Sequence, residues 1–202
     1  MIAIIDYDMG NIHSVQKALE SLGGKTVIAG TPKEIKAADK VVLPGVGAFD
    51  DAVRALEKKK MLPALIQHIK SKKIFLGICL GMQLLFEGSQ EAEEKKGLAV
   101  VKGAVKRFKV KDGYKVPHMG WNQLTLNKVA CPLLRGVADG SYVYFCHSYY
   151  PAPFIKNVVA ATTDYSIAFA SVVWQDNVYG VQFHPEKSQD VGIKILKNFI
   201  EL

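Results

Sequence analysis

The chain has 202 residues, 49% hydrophobic and 22% charged, the balance of a soluble globular chain with room for one good-sized core. That excludes a disordered tail, a collagen-like repeat and a disulfide-stapled mini-protein. The net charge is +7, but only Arg54, Arg107 and Arg135 of the 26 basic residues are arginines, so the forked donors that read nucleic acid are scarce and no nucleic-acid partner is expected.

In chain order, Ile2–Ile5 reads as a short apolar strand. The segment Asn11–Leu22 has helical spacing through Ile12, Val15, Leu19 and Leu22 and is stopped by Gly23 and Gly24. Thr26–Ala29 and Lys40–Leu43 read as strands, and Phe49–Lys59 and Pro63–Ser71 as helices. Lys73–Ile78 is an almost purely apolar strand that runs into a helix over Leu80–Phe86. Buried apolar strands separated by helices indicate a parallel sheet covered on both faces.

From about residue 98 the texture changes. Leu98–Phe108, Val116–Leu126, Ser141–Tyr149 and the stretch from Val158 to Phe183 are rich in Val, Tyr, Thr and Phe and read as strands and hairpins. Gly88–Gly97 reads as a loop, and a last helix, Gln189–Leu202, as capped by Ser188. The expectation is one α/β domain over residues 1–202: a mixed, mostly parallel central sheet flanked by helices, with an antiparallel, strand-rich second half.

Cys79, Cys131 and Cys146 are too few and too far apart for a disulfide framework or a metal pair, and an odd count fits a reducing compartment. No run reaches the roughly 18 apolar residues of a membrane span, and the N-terminus lacks the basic region of a signal peptide. A cytoplasmic protein with no membrane partner is expected.

Three motifs carry chemistry. In Gly77-Ile78-Cys79-Leu80-Gly81 a strand runs in and a helix runs out, the nucleophile-elbow pattern with cysteine in the serine slot. The turn is so tight that side chains at the flanking positions would strike backbone. The helix end also favours a thiolate. The alternative is a buried structural cysteine. In Phe183-His184-Pro185-Glu186 the proline favours an extended residue before it, so His184 and Glu186 face one site, Glu186 orienting an imidazole that activates Cys79; the alternative is a surface turn. Pro44-Gly45-Val46-Gly47 follows a strand and can turn backbone N–H groups toward a ligand. With the Leu80 N–H, the peptide between Gly45 and Gly47 is a candidate oxyanion hole, or else a plain turn.

Competing pairs are weaker. Cys146 and His147 are neighbours in a strand and point to opposite faces. Cys131 has no base nearby in sequence, and His13 and His68 lie on helices among polar residues, where solvated side chains are expected. No metal spacing and no phosphate-binding loop is present, so no cofactor and no metal are expected.

Together the three motifs, in this order, resemble the class I (triad) glutamine amidotransferases. Within them the chain is similar to the glutaminase subunits of imidazole glycerol phosphate synthases. That likeness rests on residues 8–12, 44–49, 116–122, 142–149 and 182–188, above all on His118-Met119-Gly120-Trp121-Asn122. The resemblance implies a Cys79–His184–Glu186 triad that hydrolyses L-glutamine through a thioester, with the oxyanion held by Leu80, Val46 and Gly47. It also implies that Gln83, Glu91, Ser148 and Tyr149 bind the substrate's α-groups. Trp121, Asn122, Tyr144 and Lys187 would meet or gate the partner of a heterodimer, a (β/α)8-barrel cyclase subunit that uses the ammonia to make imidazole glycerol phosphate in histidine biosynthesis. A glutaminase subunit for a different synthase, or a catalytically silent interaction subunit, are the other readings.

Overall fold

The computed structural model describes residues 1–109, 113–128 and 130–202. Its first half runs β1 (Ile2–Ile5), α1 (Ile12–Ser21), β2 (Thr26–Ala29), α2 (Pro32–Ala37), β3 (Lys40–Leu43), α3 (Phe49–Lys58), α4 (Leu62–Lys70), β4 (Ile74–Ile78) and α5 (Leu80–Gln83). The second half runs β5 (Gly88–Ser89), β6 (Gly103–Arg107), β7 (His118–Gln123), β8 (Thr125–Leu126), β9 (Tyr142–His147), β10 (Tyr149–Pro153), β11 (Val159–Tyr165), β12 (Ile167–Gln175), β13 (Val178–Val181) and α6 (Gln189–Glu201).

Among the described residues an eight-stranded sheet has the order β2-β1-β3-β4-β13-β12-β11-β8. β2, β1, β3, β4 and β13 are mutually parallel, and β12, β11 and β8 extend the sheet antiparallel. The mixed sheet expected from the apolar runs is therefore present. Its central strands are buried on both faces. Ala3 and Ile5 of β1 join the cluster under α2, α3 and α4, while Ile2 and Ile4 join the one under α1 and α6. That alternation is why these strands read as continuous apolar runs. β10, β6 and β5 form a second small sheet, and β7 pairs antiparallel with β9 as a two-stranded ribbon.

Four sequence expectations change. The helix after Cys79 stops at Gln83 and not Phe86, because the chain from Leu98 to Val101 folds back on it. The amides of Leu98, Val100 and Val101 take the carbonyls of Leu84 and Leu85. For the same reason Leu98–Phe108 is strand only from Gly103 onward. The Gly88–Gly97 loop begins with two residues that pair with β6. His68 is buried and not solvated: it shares the inner stripe of α4 with Ala64, Leu65 and Ile69, and its Nε2 meets the Ile74 carbonyl at 3.1 Å. Helix α2 is an element the periodicity did not reveal. Its signal is the capping box in which Thr31 and Glu34 bond reciprocally, with Pro32 at the first turn.

Candidate active site

β1, β3, β4 and β13 are neighbours that run the same way, so their carboxyl ends open on one crevice, the usual place for a site in such sheets. β4 leads into the elbow. Cys79 has φ +53° and ψ −109°, a backbone conformation that residues with a side chain rarely adopt, held by the structure on either side. A Cβ on Gly81 would collide with the Leu43 carbonyl oxygen, and one on Gly77 would meet the Gly81 carbonyl at 2.5 Å. The Cys79 carbonyl accepts from the Met82 and Gln83 amides, which leaves the Leu80 N–H at the leading edge of the helix, where no intrahelical acceptor is available.

β13 delivers the histidine. His184 is extended before Pro185, and its Nδ1 lies 3.0 Å from Glu186 Oε1 with the two side chains 5% and 1% exposed. Burial, the largest single influence, opposes a charge on this ring. Hydrogen bonding and charge at Cys79 and at Glu186 outweigh it and raise the imidazole well above its ordinary range. The preferred state is an imidazolium between a sulfur and a carboxylate.

Ser188 does not cap α6 with its side chain. Its hydroxyl donates to the His184 carbonyl at 2.6 Å and accepts the Tyr144 amide at 3.0 Å, so it ties the histidine segment to β9.

β3 delivers the glycine loop. The buried Tyr7 hydroxyl, just past β1, donates to the Pro44 carbonyl at 2.9 Å. A Cβ on Gly45 would collide with that hydroxyl. Burial, reinforced by the charge on Cys79, raises the Tyr7 phenol, so it stays a donor. Past the loop, the Phe49 amide donates to Glu91 Oε2 at 2.9 Å. Burial pushes the Glu91 carboxyl up, and Asp50 and Asp51 add to this, against the Phe49 hydrogen bond.

A cavity of about 320 Å³ joins these parts. Cys79, Leu80, Val46, Gly47 and His184 line it around the sulfur. Gln83, Glu91, Ser148 and Tyr149 also line it, as do Tyr144 and Lys187, whose ammonium lies 5.9 Å over the Tyr144 ring. Glu186 stands behind His184. Trp121 and Asn122 do not line the cavity. Trp121 is 46% exposed, edge-on to Tyr144 at 6.1 Å. Asn122 is turned inward, its Nδ2 bonded to the Asp164 carbonyl at 2.9 Å and 3.3 Å from His118 Nε2. Gln83 is buried and not on an exposed helix face.

Sequence reasoning gave no role to Tyr7, Gln182 and His118, and discounted His147. Gln182 Nε2 lies 3.6 Å from Cys79 Sγ, and the available signal was its place two residues before His184 in the same motif. His147 does point away from Cys146, as expected, yet both reach the cavity lining. Its Nε2 sits 3.0 Å from His118 Nδ1 in a buried pair. Burial lowers His118 to about 4. It lowers His147 to about 3, with the charges on His118 and His184 adding to it. Both rings are therefore neutral near pH 7.

Residues 3–202 match the family model described as glutamine amidotransferase class-I. The imidazole glycerol phosphate synthase subunit HisH of Thermosynechococcus vestitus is 50% identical over 202 residues, spanning 100% of this chain and 96% of that one. The HisH subunit of Desulfitobacterium hafniense is 50% identical over 199 residues, 98% of this chain and 93% of that one. Among solved structures, PurLQS from Thermotoga maritima gives a TM-score of 0.78 at 17% identity, over 99% of this chain and 97% of that one. A structure described as a glutamine amidotransferase gives 0.76 at 14% identity, over 100% of both chains. The two structures share the fold, and the family match with the half-identical relatives goes further: this chain belongs to the class I glutamine amidotransferases.

Proposed function

We propose that the chain is the glutaminase subunit of an imidazole glycerol phosphate synthase, working through Cys79, His184 and Glu186. The observation that carries the reading is that β4 and β13 bring to one cavity a thiol at a helix start and an imidazole backed by a carboxylate. The half-identical relatives, which bear that subunit's name, supply the acceptor side of the reading. Shared fold alone does not name the ammonia acceptor.

In this reading the Cys79 thiolate attacks the side-chain amide carbon of glutamine. The carbonyl electrons move onto oxygen, which accepts from the Leu80 N–H and the Val46–Gly47 peptide. His184 gives its proton to the departing nitrogen, ammonia leaves, and a thioester remains. Water then attacks the thioester as His184 takes its proton. Glutamate departs and the thiolate is regenerated. Glu186 holds the ring and stabilises its charged state before acylation and again as the thioester is hydrolysed. The substrate's α-ammonium fits Glu91 and the Gln83 oxygen, and its carboxylate the backbone at Ser148 and Tyr149.

Ammonia released into water would be protonated and lost as a nucleophile, so the site needs an acceptor at its door. The β7–β9 ribbon presents Met119, Trp121 and Tyr142 to solvent beside the cavity, an aromatic face of the kind that partners bury. A (β/α)8-barrel cyclase docked there, in a cytoplasmic heterodimer, receives the ammonia past Tyr144 and Lys187. Among the described residues no helix is long and apolar enough to cross a membrane.

Cys79→Ala tests the assignment. Glutamine hydrolysis should vanish while synthesis driven by added ammonia continues in the complex. Glutaminase activity surviving in that variant would remove Cys79 from the mechanism.

A further inference from the structure

A chain of buried polar groups outside the triad ends on the nucleophilic sulfur. The Tyr149 carbonyl accepts Gln83 Nε2 at 2.9 Å and His147 Nδ1 at 2.8 Å. Gln83 Nε2 also meets Gln182 Oε1 at 3.1 Å, and Gln182 Nε2 lies 3.6 Å from Cys79 Sγ.

The direction of these bonds is fixed by one atom. A carbonyl oxygen can only accept, so Gln83 must turn its NH2 toward Tyr149. That same NH2 then faces Gln182, which must answer with its oxygen. The Gln182 NH2 is left pointing at the sulfur. Flipping Gln182 would oppose two NH2 groups, and flipping Gln83 would oppose two oxygens. The neutral His147 completes the arrangement by donating from Nδ1 to the same carbonyl while its Nε2 accepts from His118 Nδ1. His118 Nε2 then accepts from Asn122 Nδ2.

The backbone sets the position as firmly as the network sets the direction. β13 and β4 pair in parallel with Val181 opposite Ile78, and the Cys79 amide donates to the Val181 carbonyl at 2.8 Å. One step further along each strand, Gln182 stands opposite Cys79. Its own amide is held by the Ser171 carbonyl at 2.9 Å, and its side chain is fully buried.

We propose that Gln182 is a further catalytic residue: its carboxamide donates a hydrogen bond to the Cys79 sulfur and holds the thiolate beside His184. Gln83, the Tyr149 carbonyl and His147 are positioning groups that aim this donor. The inference rests on Cys79 being the nucleophile, as proposed above. A carboxamide suits the task because it offers a dipole to an anion and has no proton to lose. It therefore supports the thiolate without competing with His184 for the proton that the reaction moves. The bond is charge-assisted when sulfur is ionised and weak when sulfur is bonded to the acyl group, so it acts on the free thiolate and on its regeneration.

The test compares Gln182→Leu, which removes the donor, with Gln182→Glu, which keeps the shape and replaces the donor by an acceptor. Glutaminase kcat and KM are measured in the complex, and the rate of Cys79 alkylation by iodoacetamide is measured on the full chain at neutral pH. The loss expected for a hydrogen bond to a charged group is about ten- to hundredfold in kcat, with KM within about twofold, and alkylation slowed in step. If Gln182→Leu unfolds early, the isosteric Gln182→Glu decides. Wild-type kcat and alkylation in Gln182→Glu would overturn the inference, as would a loss carried by KM with alkylation unchanged. Alkylation of the wild-type chain is the separate control. If modification confined to Cys79 left glutaminase intact, the nucleophile assignment would fall first, whatever Gln182 does.

Discussion

The Tyr7 hydroxyl donates to the Pro44 carbonyl at 2.9 Å, so a side chain at the end of β1 pins the backbone at the end of β3. Pro44 opens the loop whose Val46–Gly47 peptide lines the cavity, and Val46 itself is 44% exposed and free of packing on one side. The pin is therefore the fixed end of an otherwise open loop. Tyr7→Phe should cost about 1–3 kcal/mol of stability by leaving a buried carbonyl unpaired. Its glutaminase kcat should fall with little change in KM, because the loop would present its oxyanion donor less faithfully. Denaturant unfolding and steady-state kinetics check both, and an unchanged kcat would detach Tyr7 from the loop's function.

His184 and Glu186 form a buried pair, and the second oxygen of Glu186 has no hydrogen-bond partner among the described residues. The imidazolium is thus the main compensation for that carboxylate. His184→Ala should cost about 3–5 kcal/mol, as breaking one side of a buried pair does, in addition to abolishing glutaminase activity. Because the folded-state His184 is raised, its contribution to stability is full below about pH 6.5. It should fade as pH rises toward the raised folded value. A pH series of unfolding midpoints for wild type and His184→Ala should converge toward the alkaline side. Midpoints that stay equally separated would contradict the pairing.

His118 and His147 act with the opposite sign. Burial holds them at about 4 and about 3, so the unfolded chain takes up protons that the folded chain refuses. Stability from this source is whole above about pH 6.5 and declines as pH falls toward about 4. The groups facing the pair are Tyr165, stacked on His118 at 3.9 Å, Tyr150 across Phe108, and the cationic His184. His147→Phe should flatten the stability-versus-pH slope in that window. An unchanged slope there would mean that the pair is not what titrates.

The exposed ribbon face yields a binding prediction. Trp121 lies opposite Tyr144 in the β7–β9 register, and Met119 opposite Cys146, which places an apolar surface against the rim of the cavity. Trp121→Ala should weaken cyclase binding by about 2 kcal/mol or more if the ring is a central anchor. Cys79 alkylation on the isolated chain should be unaffected. Calorimetric titration against the cyclase reads the first and the alkylation rate the second. Undiminished affinity would move the interface elsewhere.

Much of this site was legible in the sequence because its parts are local. The elbow glycines are required by backbone four or five residues away or on the next strand, and that need shows as Gly-x-Cys-x-Gly. His184 and Glu186 meet across one proline, so their relation is set by two residues of chain. Asn122 and Gln83 were harder, since whether a strand or helix residue faces outward depends on what packs against it. Asn122 turns in to the Asp164 carbonyl, and Gln83 is enclosed by Tyr149 and Gln182. The assignment of Ser188 as a cap failed for the same reason: a hydroxyl at a helix start bonds whichever partner is nearer, and here that is the His184 carbonyl.

The sequence by itself determined the alternation of buried strands and helices, the tight turn that exposes a cysteine, and the histidine–glutamate segment far downstream. Those follow from side-chain periodicity and from the conformational limits of glycine and proline, which act over a few residues. Only the tertiary structure decided that β13 lies beside β4 with Val181 opposite Ile78. That register puts His184 within reach of Cys79 and aims Gln182 at its sulfur, and the pairing of β1 with its neighbour β3 sets the Tyr7 hydroxyl under the Pro44–Gly47 loop. Strand order is a property of the whole packed core, won by burying both faces of one sheet at once, and no local pattern encodes it.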